Sequence, residues 1–127
     1  MNLENIFKNI IKIEFLFIVL VIISLFFIDI EYVDPNGPWT IETTLTIWLF
    51  IILLVYVVNL YFLYKFKPIG KTLYLPLIIL TLILGTLLPA AQYTSLDLIV
   101  EWISGVLTGL VIALLYFTDI KDKFIKK

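Results

Sequence analysis

The sequence predicts an all-α integral membrane protein, a four-transmembrane-helix antiparallel bundle with the N and C termini in the cytoplasm. Three observations predict this fold class. Of the 127 residues, 62% are apolar, and their number matches the roughly 80 that four spans of about 20 residues would use. The apolar residues form four long runs separated by short polar segments. All the lysines fall in three of the polar segments, and the other two contain none.

Each apolar run predicts one span of a single membrane domain, 1–127. The spans are expected at about 10–28, 45–64, 72–88 and 98–117, with outer loops at 29–44 and 89–97 and an inner turn at 65–71. The residues before the first span have helical spacing, which predicts a short interfacial segment that then turns inward. A cleaved signal peptide is the alternative, but Asp29-Ile30-Glu31 offers no small-residue cleavage site. Pro76 is expected in the first turns of the third helix, where proline disturbs a helix least.

The lysines predict the orientation, because cytoplasmic loops are enriched in lysine and arginine. They fall in the N-terminal segment, the 65–71 turn and the charged tail 119–127, so both termini are expected inside. Aromatic residues, which favour the headgroup layer, predict an outer and an inner belt. The belt residues are Trp39, Trp48 and Trp102 at the outer ends and Tyr61, Tyr64, Tyr74 and Tyr116 near the inner ends. The expected location is therefore the cell membrane, multi-pass, with the lipid bilayer as a partner.

The composition excludes several function classes. Without cysteine there is no disulfide framework or thiol nucleophile, and without histidine the commonest general base is missing. We expect no enzyme activity, no cofactor and no metal site. Nine basic residues at a net charge of −1 argue against nucleic acid as a partner.

The outer acidic residues suit a divalent cation by ligand type, but they match no known calcium loop and also follow from orientation alone. They are Asp29, Glu31, Asp34 and Glu42.

Small residues predict how the helices pack, since close backbone contact holds helices together in lipid. Gly105, Gly109 and Ala113 lie four residues apart in the fourth span. The third span has a matching row that includes Thr81 and Gly85. We expect these two helices to form an antiparallel pair along the two rows. The alternative is that the glycine stripe forms a homo-oligomer.

Glu14, Asn59 and Glu101 are the candidate intramembrane polar residues. A carboxylate at membrane depth usually faces protein or a water-filled cavity and is a candidate functional group. Glu14 is expected either to point inward, toward Asn59, or to sit wetted at the inner interface beside a lysine. Lys12 is two residues away, about 200° around the helix, so it cannot share the face of Glu14. Asn59 is expected to hydrogen-bond between helices.

Glu101 lies on the glycine stripe and is expected to face the other helices, with Gln92, Ser24 or Thr46 as partners. The alternative is an acidic residue that is favourable near the positive end of the helix dipole. Thr43 and Thr44 are expected to cap the second helix.

Residues 109–119 (GLVIALLYFTD) and 71–74 (KTLY) resemble those of uncharacterised small four-helix bacterial inner-membrane proteins. The resemblance covers the second half of the chain and implies a bacterial plasma-membrane location, with no activity attached. The chain is also similar in length and span number to the small multidrug-resistance transporters, whose first span carries an essential glutamate. Glu14 would match it, although that family surrounds the glutamate with small and polar residues whereas Ile13 and Phe15 flank it here.

Two function hypotheses follow. The leading one is a non-enzymatic membrane protein that acts through helix–helix contact with a partner or with itself, because reactive groups are scarce beside a long stripe of small residues. The alternative is a small dimeric transporter, or a proton- or ion-coupled carrier, that uses Glu14 or Glu101.

Overall fold

A computed structural model of the chain describes residues 2–27, 41–87 and 95–125. In these ranges the chain is helical and has no strand. It comprises α1 (Leu3–Phe27), α2 (Ile41–Tyr64), α3 (Pro68–Leu87), α4 (Ser95–Phe117) and a C-terminal 3₁₀ helix (Asp119–Phe124). The predicted all-α class is confirmed. Two segments of the described helices are long and apolar enough to cross a membrane, Ile47–Tyr64 and Ile99–Phe117, and Pro68–Leu84 is a shorter apolar helix.

The first two helices begin earlier than the sequence predicted. The interfacial segment and the first span form one continuous helix, so the predicted inward turn between them is wrong. Asn2 starts this helix, because its side-chain oxygen accepts a hydrogen bond from the Glu4 amide at 3.1 Å. In α2, Thr43 and Thr44 lie inside the first turn, so the prediction that they precede the helix as caps is wrong.

The third and fourth helices also begin earlier. Pro68 opens α3, where its missing N–H is not needed. Pro76 consequently lies two turns into this helix, and its predicted place in the first turns is wrong. Residues 95–97 belong to α4 and not to the predicted outer loop. Some predicted loop and belt residues and one candidate partner of Glu101 lie outside the described residues. The side chains of two further candidate partners and of one acidic residue also lie outside them. These are Asp29, Glu31, Asp34, Trp39, Gln92, Ser24, Thr46 and the Glu42 side chain.

Each helix buries one face, formed by residues three or four apart. In chain order the buried residues are Phe7, Ile11, Glu14 and Ile18; Ile52, Tyr56, Asn59, Leu60 and Leu63; Tyr74 and Leu77; and Leu107, Val111 and Leu115. The main neighbours of α1 are α2 and α4, and α3 packs chiefly on α2. The predicted antiparallel pairing of the third and fourth helices along their small-residue rows is therefore wrong.

A tight turn joins α2 to α3. The Lys67 amide donates to the Phe62 carbonyl at 2.8 Å and the Phe66 amide to the Leu63 carbonyl at 3.0 Å, which is the Schellman pattern of a helix C-terminus. Phe66 occupies the left-handed position of that motif with φ 52°, a conformation that costs a non-glycine residue about 1–2 kcal/mol. Packing of the Phe66 ring offsets this conformational cost, because the ring stacks on Phe7 and meets Phe124 edge-on.

Gly70 lets α3 lie directly against α2. A Cβ at this position would come within 2.8 Å of the Leu63 amide nitrogen and 3.0 Å of the Phe62 carbonyl carbon. Both are backbone atoms, so neither can swing aside. Only glycine permits this approach of the two helices.

The C-terminal segment, which was predicted only as a charged tail, also packs onto the core. Thr118 caps the 3₁₀ helix by accepting a hydrogen bond from the Ile120 amide. Ile120 and Phe124 are buried, and the Phe124 ring meets Phe7 edge-on at 6.1 Å between centroids. The N-terminal segment, the α2–α3 turn and the C-terminal segment thus meet at one end of the molecule.

The outward faces of all four helices are apolar. Exposed large side chains include Leu16 and Leu20 of α1, Leu54 and Val58 of α2, Leu82 and Ile83 of α3, and Val106 and Leu110 of α4. Soluble monomers rarely expose continuous apolar surface on this scale.

Candidate functional site

Glu14 lies where all four helices meet, and only 3% of it is exposed. The Tyr56 hydroxyl of α2 donates to Glu14 Oε1 at 2.5 Å, and the Tyr74 hydroxyl of α3 donates to the same oxygen at 3.0 Å. The Thr108 hydroxyl of α4 approaches it at 3.5 Å. One carboxylate oxygen is therefore a shared acceptor for side chains from the three other helices.

The oxygens of Glu14, Tyr56 and Tyr74 form a closed triangle, because the two tyrosine hydroxyls lie 3.1 Å apart. With Glu14 ionised, both hydroxyls donate to Oε1. With a proton on Oε1, each of the three oxygens can donate to the next around the ring. Hydroxyl hydrogens rotate to suit their partners. The same heavy-atom positions therefore satisfy Oε1 with or without one added proton.

The second carboxylate oxygen, Glu14 Oε2, is buried and has no hydrogen-bond partner within the described residues. No lysine in those ranges forms an ion pair with Glu14. Lys12 is exposed and places its ammonium 5.6 Å from the centre of the Tyr64 ring. The two side chains take different faces, as their spacing requires. The alternative of a wetted Glu14 paired with a lysine is wrong.

Asn59 is also buried, at 1% exposure. Its amide nitrogen donates to the Gly70 carbonyl at 3.1 Å, so it bonds between α2 and α3. The predicted contact of Glu14 with Asn59 is absent from the hydrogen bonds of the described residues, since tyrosines take that place. Asn59 Oδ1, like Glu14 Oε2, has no partner among these residues.

Glu101 has the opposite environment. It is exposed on the outward face of α4, beside Trp102, which is 75% exposed. The prediction that Glu101 faces the other helices is therefore wrong. Both residues line a shallow hollow of about 380 Å³ together with Gly105 and Val106.

The glycine stripe of α4 faces outward too. Beyond the adjoining backbone of α4, no described atom would lie within 4 Å of a Cβ at Gly105 or Gly109, and Ala113 is exposed. The prediction that these residues pack inside the chain is wrong, because α4 turns its Leu107–Val111–Leu115 face toward α1 instead. The surroundings of Gly85 lie outside the described residues.

Ionic contacts gather at the end of the molecule where the lysine-bearing segments meet. Lys8 Nζ lies 2.8 Å from Glu4 Oε1, and Lys123 Nζ lies 3.5 Å from Glu4 Oε2. The hydrogen bond from Lys8 holds the pKa of Glu4 below its ordinary value. Glu4 therefore links the start of α1 to the C-terminal 3₁₀ helix.

The sequence did not identify three residues of the Glu14 cluster. The predicted place of Tyr74 in the inner aromatic belt is wrong, because its side chain is fully buried. Tyr56 carried a usable signal, because it lies three residues before Asn59 and so shares its helix face. Thr108, one residue before Gly109, carried no signal for this role, and its hydroxyl approaches Glu14 Oε1 at 3.5 Å.

Comparison of the chain with protein-family models, curated proteins and solved structures found no match. The comparisons therefore assign no family and no activity, and both resemblances remain expectations.

Proposed function

We propose that the chain is a four-span protein of the bacterial plasma membrane, with both termini in the cytoplasm, that acts as a small proton-coupled carrier through Glu14. The continuous apolar outer surface supports membrane insertion, since that surface needs lipid or protein around it. The meeting of the three lysine-bearing segments at one end supports the orientation, because positively charged segments stay in the cytoplasm.

One observation carries the proposed activity: a glutamate that is 3% exposed receives tyrosine hydroxyls from two helices and has no cationic partner among the described residues. A buried carboxylate without a paired charge is costly when ionised. A purely structural link between helices would not require an ionisable group. The oxygen triangle can hold one proton without moving its heavy atoms, which suits a site that is loaded and unloaded repeatedly.

A proton fits this site better than a metal or an organic cation. Oxygen–oxygen separations of 2.5–3.1 Å are direct hydrogen-bond distances. Glu14 lines neither the hollow beside Glu101 nor the groove formed by α1 and α2 at Lys12 and Tyr64. We therefore propose a non-enzymatic activity in which binding and release of a proton at Glu14 accompany movement between helix arrangements.

The test combines titration with flux. Infrared difference spectra of the reconstituted protein, recorded between pH 5 and pH 9, should contain a protonated-carboxyl band that is lost in Glu14→Gln. Proteoliposomes that contain a pH-sensitive dye should dissipate an imposed pH gradient, with or without an opposing sodium or potassium gradient. Glu14→Gln should reduce that rate to the rate of empty liposomes, because glutamine keeps the shape but carries no exchangeable proton.

Glu101→Gln is the matched control, since it removes the same charge from the exposed face of α4. It should leave both the infrared band and the flux unchanged. A band that does not respond to Glu14→Gln, or wild-type proteoliposomes no leakier than empty ones under every gradient, would refute the proposed activity.

Association through α4 is the second candidate function, and the open glycines favour it. Gly105 and Gly109 contact nothing on this face within the described residues, and small residues permit close approach of another helix in lipid. Gly109→Leu should then abolish self-assembly or capture of a membrane partner by the detergent-solubilised chain. If Gly105→Leu and Gly109→Leu leave every association intact, the stripe is not an interface.

A further inference from the structure

A groove runs along the outside of α1 and α2, close to the end of the molecule that carries the lysines. It encloses about 210 Å³ and is lined by Ile11, Lys12, Phe15, Leu60, Tyr61 and Tyr64. Its lining is almost entirely apolar and includes the ammonium-bearing Lys12 side chain and the two phenol rings of Tyr61 and Tyr64. The groove therefore combines an apolar lining with a cationic group.

Three ammonium groups surround the single ring of Tyr64. The nitrogens of Lys8, Lys12 and Lys65 lie 5.9, 5.6 and 6.0 Å from its centroid. The ring face offsets some of their mutual repulsion through cation–π attraction. Only Lys8 also has a carboxylate, because its nitrogen is 2.8 Å from Glu4 Oε1. Within the described residues, Lys12 and Lys65 have no acidic partner.

We infer that this groove binds one anionic phospholipid, with an acyl chain along Ile11, Phe15 and Leu60 and the phosphate between Lys12 and Lys65. Neither lysine has a counter-charge among the residues that the structure describes, and a phosphate supplies one. Clusters of lysine at the cytoplasmic end of membrane helices attract anionic headgroups in this way. With the chain inserted as proposed, the Tyr61 and Tyr64 rings would lie where headgroup meets hydrocarbon, a position that amphipathic aromatics favour.

A phospholipid fits the groove better than a soluble phosphate does. A soluble anion would use the lysines and leave the apolar floor uncovered. A zwitterionic lipid would fill the floor but place its own cation beside the two ammonium groups. Only an anionic lipid matches both parts. The inference rests on the proposed membrane insertion and is independent of proton binding at Glu14.

The experiment measures lipid retention by native mass spectrometry of the full chain in detergent. Phosphatidylglycerol and phosphatidylcholine with identical acyl chains are titrated separately. The wild type should retain one phosphatidylglycerol and discriminate against phosphatidylcholine. Replacing Lys12 and Lys65 together by glutamine should weaken phosphatidylglycerol binding by about thirtyfold, the effect expected for two lysines near a headgroup.

The matched control replaces Lys67 and Lys121 by glutamine, which removes the same charge from two exposed positions that are neither in the groove lining nor among the lysines at the Tyr64 ring. It should change retention less than about twofold. Phe15→Ala, which opens one groove wall without altering charge, should also weaken retention and covers the case in which the double variant misfolds. Glycerol 1-phosphate, a headgroup without acyl chains, should not compete.

Equal loss in the control and test variants, equal binding of the two lipids, or competition by glycerol 1-phosphate at the lipid's own concentration would each overturn the inference. Extraction of cell membranes with alkaline carbonate tests membrane insertion separately. A protein that stays in the membrane pellet but binds both lipids alike refutes the groove site and leaves the proposed insertion standing.

Discussion

Glu14 of α1 and Glu101 of α4 are the same residue type on two apolar helices, and their surroundings differ completely. Glu14 is buried and accepts hydrogen bonds from two tyrosines. Glu101 is exposed beside Trp102 and belongs to the outward face of its helix. The two glutamates differ in exposure because of how each helix is rotated about its own axis. The rotation of α4 brings its Leu107–Val111–Leu115 face to α1 and leaves Glu101 on the outside.

The glycines repeat the contrast. Gly70 sits where a Cβ would collide with backbone, whereas Gly105 and Gly109 face open space within the described residues. The two kinds of position indicate two roles. The contacts of Glu14 and Gly70 hold this chain together, and the outward face of α4 remains available to something outside it. The predictions below test that division.

Replacing Glu14 by alanine should have the largest effect, a loss of about 3 kcal/mol in the free energy of unfolding. The substitution leaves a cavity, and the two tyrosine hydroxyls lose their common acceptor. Since they lie 3.1 Å apart, one can donate to the other, but the second remains unsatisfied. Reversible unfolding in mixed micelles measures the change. Glu101→Ala is the control, and its free energy of unfolding should stay within about 0.5 kcal/mol of wild type. Equal losses in the two variants would contradict the division between the core contacts and the outward face of α4.

Gly70→Ala should have the next largest effect. We expect the free energy of unfolding to fall by about 2 kcal/mol, which is in the range measured for overpacked sites. The added methyl would lie 2.8 Å from the Leu63 nitrogen, so α3 must move away from α2 and lengthen the bond from Asn59 to the Gly70 carbonyl. Gly109→Ala adds the same methyl where, among the described residues, nothing beyond the adjoining helix backbone lies within 4 Å, and it should cost almost nothing in the monomer. The same unfolding assay ranks the two variants, and a Gly70→Ala protein as stable as wild type would show that the helices are not held this closely.

Tyr56→Phe should have a smaller effect, about 1 kcal/mol, because it removes one hydrogen bond and leaves the Tyr74 hydroxyl on Glu14. Tyr61→Phe on the same helix is the control, since Tyr61 is exposed. A double-mutant cycle with Glu14→Gln isolates the pairwise interaction. Additive effects in that cycle would mean that the 2.5 Å contact contributes no coupling.

The helices were predictable from sequence because each is an apolar run of membrane-spanning length bounded by polar residues. The residue at which each helix starts was not predictable, since residues such as Glu42, Lys71 and Ser95 continue a helix as readily as they precede one. The neighbours of each helix were harder still. Leucine and isoleucine occupy both the inward and the outward faces, so the hydrophobic pattern does not mark which face meets another helix.

The candidate site was predictable only in part. Glu14 and Asn59 stand out because polar residues are rare in apolar helices. Tyr74 does not stand out in the sequence, since a tyrosine one turn beyond Lys71 fits an interfacial belt as well as a buried core. The glycine stripe was informative about close packing but not about its partner, because spacing along one helix says nothing about which surface lies opposite.

The smallest predicted effect concerns Glu4, a half-buried carboxylate that, unlike Glu14, has lysine partners. The Lys8 hydrogen bond lowers the pKa of Glu4, so the ionised form is favoured in the folded protein. The resulting stabilisation is present above the pKa of the unfolded chain and is lost as the pH falls through the lower folded value. The thermal midpoint of wild type should therefore exceed that of Glu4→Gln at pH 7, and the gap should close on acidification and also in high salt, which screens exposed pairs. A gap that persists at low pH would show that Glu4 acts through packing and not through its charge.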